Sequence, residues 1–245
     1  MMPNEFPIWA TLALGFVLGL RHALDADHLA AVSTFASEER NLLRSSLIGV
    51  YWGAGHTAAL VAFGSLIMAL RLAVTPRLTQ FLEFAVGCML VILGANVLRK
   101  LGKASAIHAH THEHDPAERG HSHLHVHLGD AGHVHEHRVI RLGGQPFVVG
   151  IVHGLAGTAA VLLVVVGAIP SVLLALGTIL IFGAGSIGGM MAMSLLMSLP
   201  LALAAGRVAP LCGVERGLRL AAGAFSLGFG VFLAWNVGFV QAMVR

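Results

Sequence analysis

Charge is what this sequence has least of. Of its 245 residues, 11% are charged and 56% are hydrophobic, and the mean hydropathy is +0.81. Soluble domains carry about 25% charged residues. The composition therefore excludes an ordinary soluble domain and points to an all-α integral membrane protein. The 15 Lys+Arg and 12 Asp+Glu do not read as a nucleic-acid surface, because the basic residues lie mostly between hydrophobic segments, where they set membrane orientation. Cysteine is scarce as well: Cys88 and Cys212 cannot build a disulfide framework or a multi-cysteine metal site. No Gly-rich loop ends in Gly-Lys-Ser/Thr, which removes the usual basis for ATP hydrolysis. The His-Glu-x-x-His signature of zinc proteases is missing too. With no basic n-region and no convincing cleavage site, a removable signal peptide is not expected.

What is there is apolar and segmented. Six stretches, 6–36, 46–70, 78–101, 146–169, 171–205 and 219–244, are long enough to serve as transmembrane helices, which need about 20 residues. The first is long for one straight span. Between the third and fourth lies a polar connection. The chain thus reads as a three-helix repeat over 1–101, a connection over 102–145 and a second three-helix repeat over 146–245. Short motifs recur between the halves in the same order. Gly19-x-x-His22-Ala23-Leu24 matches Gly150-x-x-His153-Gly154-Leu155, Trp52-Gly53-Ala54-Gly55 matches Phe182-Gly183-Ala184-Gly185, and Gly87 and Gly94 match Gly223 and Gly230. Three spans is an odd number, so a second copy enters from the opposite side, the inverted-repeat plan of many secondary transporters.

Orientation follows from the basic residues. Arg40, Arg44, Arg99, Lys100, Lys103, Arg119, Arg138, Arg141, Arg207, Arg216 and Arg219 fall on or beside one set of connections, and only Arg71, Arg77 and Arg245 on the other. The positive-inside rule puts the first set in the cytoplasm. The polar connection is then cytoplasmic and both termini lie outside the inner (plasma) membrane.

Ionisable side chains are costly in hydrocarbon and mark substrate or ion paths. The first segment holds Arg21, His22, Asp25, Asp27 and His28, the second His56 and the fourth His153. Imidazole and carboxylate together suit divalent metals such as nickel, cobalt or zinc, so His22, Asp25, Asp27, His28, His56 and His153 are the expected metal ligands. On a straight helix His22, Asp25 and His28 share a face and Asp27 points away. Arg21 is expected to pair with an aspartate when no metal is bound. The glycines over 183–189 read equally well as close-packing points or as an unwound stretch beside a cavity. The polar connection carries His108, His110, His112, His114, His121, His123, His125, His127, His133, His135 and His137, at alternate positions within each run. A tract of this composition has too few large apolar residues to pack and binds divalent metals with modest selectivity.

Arg21-His22-Ala23-Leu24-Asp25-Ala26-Asp27-His28 contains His-x4-Asp-His and resembles the signature of the nickel/cobalt transporter family. Gly53-x-Gly55-His56-Thr57 resembles that family's second histidine-bearing motif, and His153-Gly154-Leu155-Ala156-Gly157-Thr158 its later His-Gly-Leu-x-Gly-Ser/Thr motif. The resemblance implies movement of Ni²⁺ or Co²⁺ across the inner membrane, with His22, Asp27 and His28 as signature residues. The chain is nearer the compact members, which include urease-accessory membrane proteins and efflux-type relatives with histidine-rich loops. The family motif stresses Asp27 where a straight helix favours Asp25, so local unwinding is expected near Asp25 to Asp27.

The favoured reading is a secondary permease that works by alternating access, in the uptake direction, with the metal as substrate and no permanent cofactor. Its partners are the divalent ion, the lipid bilayer and, in a nickel context, a nickel chaperone or metalloenzyme maturation factors. Efflux, metal donation by an accessory protein without translocation, and a membrane-embedded zinc enzyme are the alternatives. The enzyme is the weakest of them, since it gives the histidine tract no place.

Overall fold

A computed structural model of the chain describes residues 7–70, 75–104, 143–155, 169, 171–204 and 211–240. Seven α-helices are described: α1 (Ile8–His22), α2 (Ala26–Ala36), α3 (Leu42–Leu70), α4 (Pro76–Ala104), α5 (Gln145–Gly154), α6 (Val172–Ala204) and α7 (Leu211–Trp235). A π-helical turn, Asn236–Val240, extends α7. There is no strand among the described residues. Four helices, α3, α4, α6 and α7, are each long and apolar enough to cross a membrane, and α1 with α2 makes a fifth candidate, bent by 58° at its break. The chain is a multi-pass membrane protein. Of the expected fourth segment only α5 and Leu155 are described in continuity, and the histidine tract lies outside the described residues.

Local chemistry sets the helix ends. Asn41 Oδ1 accepts hydrogen bonds from the backbone N–H groups of Leu43 (2.9 Å) and Arg44 (3.2 Å) and so caps α3. Pro76 opens α4, where its missing N–H costs nothing. The long first segment breaks over residues 23–25, which meets the stretch expected to unwind, Asp25 to Asp27, only at Asp25, and Asp27 is helical. α1 tightens at its end, with Leu24 N–H donating to Arg21 O and Asp25 N–H to His22 O. Asp25 then takes an extended backbone conformation (φ −62°, ψ 146°) as the residue before α2.

α4 packs along α7, α6 runs along both α3 and α1, and α5 lies on α3. The main apolar core joins Ala30, Ala31 and Val32 of α2 to Trp52, Val86, Leu90, Val149 and Met190. Large apolar side chains such as Trp9, Leu14, Phe81, Leu173 and Phe232 point outward, as a lipid-facing surface requires.

Glycine makes these approaches possible. A methyl at Gly19 would collide with the Phe182 carbonyl and come 2.9 Å from Ser186 N, and a methyl at Gly150 would collide with the Trp52 carbonyl and come 2.9 Å from His56 N. Gly55 meets Phe147 and Ile151 as Gly185 meets Phe16 and Leu20. Each pair of contacts maps onto the other by the offset of 130 or 131 residues that relates the sequence motifs. Gly87 meets Gly230, and Gly94 meets Gly223, across α4 and α7.

The glycines over 183–189 do not unwind. α6 is continuous through them, and Gly183, Gly185 and Gly189 are the points where Thr57, Phe16 and Ala23 come closest. Contact with neighbouring helices explains their small size.

Candidate metal centre

The break between α1 and α2 brings together residues that a straight helix would spread apart. His22 lies in the last turn of α1, Asp27 and His28 in the first turn of α2, His56 in the middle of α3 and His153 in the last turn of α5. His28 and His56 are fully buried, and His22 and His153 nearly so. The donor atoms of His22, His28 and His56 lie within 4.8 Å of one another, and those of Asp27, His28 and His153 do the same, so His28 belongs to both groups. The His28 ring centroid is 4.4 Å from that of His22 and 4.0 Å from that of His153.

The two carboxylates have different places. Asp27 Oδ1 accepts the backbone N–H of His28 (2.9 Å), and its Oδ2 is 2.9 Å from His153 Nε2. Asp25 meets the cluster at His22, with Oδ2 2.8 Å from Nδ1. A carboxylate in that position fixes the tautomer and direction of an imidazole, as second partners of metal-bound histidines do. The break therefore reverses the straight-helix grouping, and it is Asp27 that shares a donor group with His28.

Both ring nitrogens of His28 and of His56, and Nδ1 of His153, have no hydrogen-bond partner among the described residues. Buried polar atoms are almost always satisfied, and an orphaned set calls for an explanation. Three neighbouring rings thus each have a nitrogen to offer, and imidazole is a ligand suited to divalent transition metals.

Arg21 does not fill the role expected of it. It is exposed and makes no ion pair with Asp25 or Asp27 among the described interactions. Successive helix residues are about 100° apart, so with His22 turned inward Arg21 is carried to the outer side of α1. Glu83 is half-buried on α4 and Cys88 is a free, half-buried thiol. None of the eleven histidines of the polar connection is among the described residues.

One group beside the cluster was not singled out as a site residue from the sequence. Trp52 is fully buried, stacks on His28 with centroids 5.2 Å apart and an interplanar angle of 25°, and lies edge-on to His153 at 5.7 Å. The available signal was its spacing, one helical turn before His56 on the same face of α3.

Comparison with known proteins follows the same direction. The chain is 34% identical to the urease accessory protein UreH of Bacillus sp. (strain TB-90), over 99% of its own length and 98% of the relative's. It is 29% identical to the Arabidopsis thaliana chloroplast protein FOR GROWTH AND FERTILITY 1, over 73% of this chain and 47% of that one. A shorter match, 36% identical, covers 30% of this chain and 21% of the high-affinity nickel transport protein of Cupriavidus necator. No family-wide sequence profile matches the chain, and no solved structure does. Accessory and transport proteins rather than catalysts stand among these relatives, in keeping with a chain that is not an enzyme. With a near full-length relative above 30% identity, the chain belongs to the UreH family of urease accessory proteins.

Proposed function

We propose that the chain is a secondary transporter that carries Ni²⁺, or Co²⁺, into the cell by alternating access around one buried site. Its ligands are His22, Asp27, His28, His56 and His153, and Asp25 orients His22. The observation that carries the reading is the set of buried imidazole nitrogens of His28, His56 and His153 that have no hydrogen-bond partner among the described residues, gathered around His28. The ion is cargo, and no permanent cofactor is required. The names of the relatives, an accessory protein of urease and a nickel transport protein, support nickel as the metal.

The architecture that goes with this reading is two inverted three-helix repeats, 1–101 and 146–245, giving six spans. Its support is the matched contacts of Gly19 with Gly150 and of Gly55 with Gly185. The polar connection over 102–145 is a cytoplasmic metal-binding loop, by the positive-inside rule, with both termini outside. There its histidines would receive incoming ions and pass them to maturation factors.

A second reading comes from the full-length relative's name: an accessory protein that hands nickel on without moving it across the membrane. Flux of ⁶³Ni²⁺ in right-side-out and inverted vesicles, with His28→Ala beside the wild type, separates the two. Inward flux in right-side-out vesicles that the variant lacks is the expected result. Flux mainly into inverted vesicles under a physiological gradient would mean export. Equal permeability of both proteins in both orientations would overturn transport altogether.

A further inference from the structure

His28 has an unusual environment for a metal ligand. A metal-binding imidazole ordinarily has its ring held by a hydrogen bond at the nitrogen that does not bind metal, and that bond is often to a carboxylate. His22 has such a partner in Asp25. His28 has none at either nitrogen among the described residues. Among the rings around it, those of His153 and His22 are 4.0 and 4.4 Å away between centroids and tilted or edge-on, and the one that stacks on it face to face is Trp52, at 5.2 Å and 25°.

Trp52 itself is held by packing. Its indole N–H has no acceptor among the described residues. It belongs to the main apolar core, and its Cδ1 closes over Gly150 of α5, where a methyl would come within 2.9 Å of it. The matching position in the second half, Phe182, lies 5.4 Å from the His22 ring with an interplanar angle of 36°. A phenyl ring therefore suffices against the histidine that has a carboxylate partner. The larger and more electron-rich indole stands against the one that has none.

We propose that Trp52 is the positioning residue of His28. Its π face fixes the plane of the imidazole, so that a ring nitrogen aims at the ion, and stabilises the positive charge which that ring acquires on coordination. Indole is the best of the aromatic faces for a cationic partner. The inference rests on the proposed ion site but is independent of the direction of transport, and of whether transport occurs at all.

The test uses the full-length protein in detergent, with Co²⁺ as probe. Cobalt's visible d–d bands report the number and direction of its ligands. The His28→Ala spectrum, which keeps the contribution of the histidine tract, is subtracted throughout. Trp52→Phe is expected to lower the His28-dependent affinity less than about 5-fold, because the ring face is kept. Trp52→Leu, similar in apolar character but without a face, is expected to lower it roughly 10- to 100-fold, the range for loss of a partner that orients a ligand, and to shift the bands. Trp52→Met carries the same expectation and replaces the leucine variant if that one does not fold, since methionine adapts to irregular gaps. Wild-type affinity and spectrum in the leucine or methionine variant would overturn the proposal, as would a phenylalanine variant as weak as either. A wild-type protein with no His28-dependent cobalt signal would overturn the ion site itself, and the role of Trp52 with it.

Discussion

Gly228 and Gly230 stand two residues apart on α7 and make opposite demands. A methyl at Gly228 meets nothing within 4 Å, whereas at Gly230 it would lie 2.7 Å from Val91 N, 2.8 Å from Gly87 O and 2.9 Å from Leu90 Cβ. Ordinary van der Waals contact begins near 3.4 Å, so α4 and α7 must part locally by about 0.7 Å. The obstacles include backbone atoms of α4, which cannot rotate aside. A gap of that order forfeits roughly a quarter to a half of the dispersion energy of the contacts it opens, and overpacking of a tight interface costs about 1–3 kcal/mol. Alanine is the better helix former by about 1 kcal/mol at either position. That gain is common to both variants and cancels in their difference. Gly228→Ala should therefore be neutral to slightly stabilising, and Gly230→Ala less stable than it by about 1–3 kcal/mol. Reversible unfolding in mixed micelles measures both. A Gly230→Ala protein as stable as Gly228→Ala would refute the claim that helix contact at this glycine organises the α4–α7 pair.

Affinity for nickel should fall as the pH is lowered. Each imidazole must be neutral to bind the ion, so protons compete for the same nitrogens and the loss grows on acidification. Equilibrium dialysis at about pH 8 and about pH 5.5, on either side of the ordinary histidine range, would reveal it. Equal affinity at both would exclude histidine ligation. Replacing residues 105–142 with a short Gly/Ser linker should reduce the number of ions bound and leave the His28-dependent affinity unchanged. Loss of that affinity would mean that the polar connection supplies a ligand to the buried site.

How much of this could be read in the sequence depends on whether a residue's role is local. The membrane class follows from composition, and the break in the first segment followed from a conflict between helix spacing and the His-x4-Asp-His motif. Both are local properties, and the structure has both. The glycines over 183–189 were ambiguous because a small residue serves close contact and unwinding equally well. Thr57, Phe16 and Ala23 decide between the two, and no inspection of α6 alone would supply them. Arg21 failed for a related reason: its pairing depends on which side of α1 faces the bundle, and that is set by packing on α6. Trp52 was visible as part of a repeated motif and by its spacing from His56, but its contact with His28 joins two helices and was not.

The matched contacts also explain why the chemistry is uneven between the halves. Trp52 and His56 approach Gly150 as Phe182 and Ser186 approach Gly19, so the close approach is the same on both sides. At the position that matches His56, Ser186 donates its hydroxyl to the Gly19 carbonyl (3.2 Å). Its side chain is thus occupied by a neighbouring helix, whereas both nitrogens of His56 are left without partners among the described residues. A serine that closes its hydrogen bond within the frame contributes to helix packing and offers nothing to an ion. A histidine that leaves its nitrogens open accepts the cost of unpaired buried polar groups, about 1–3 kcal/mol each, a cost that a coordinated ion would relieve in part. His22, His28, His56 and Asp27 come from the first half and His153 alone from the second. Paired approaches therefore provide the framework, and under the proposed function the departures from the pairing gather the ligands of the ion at one point.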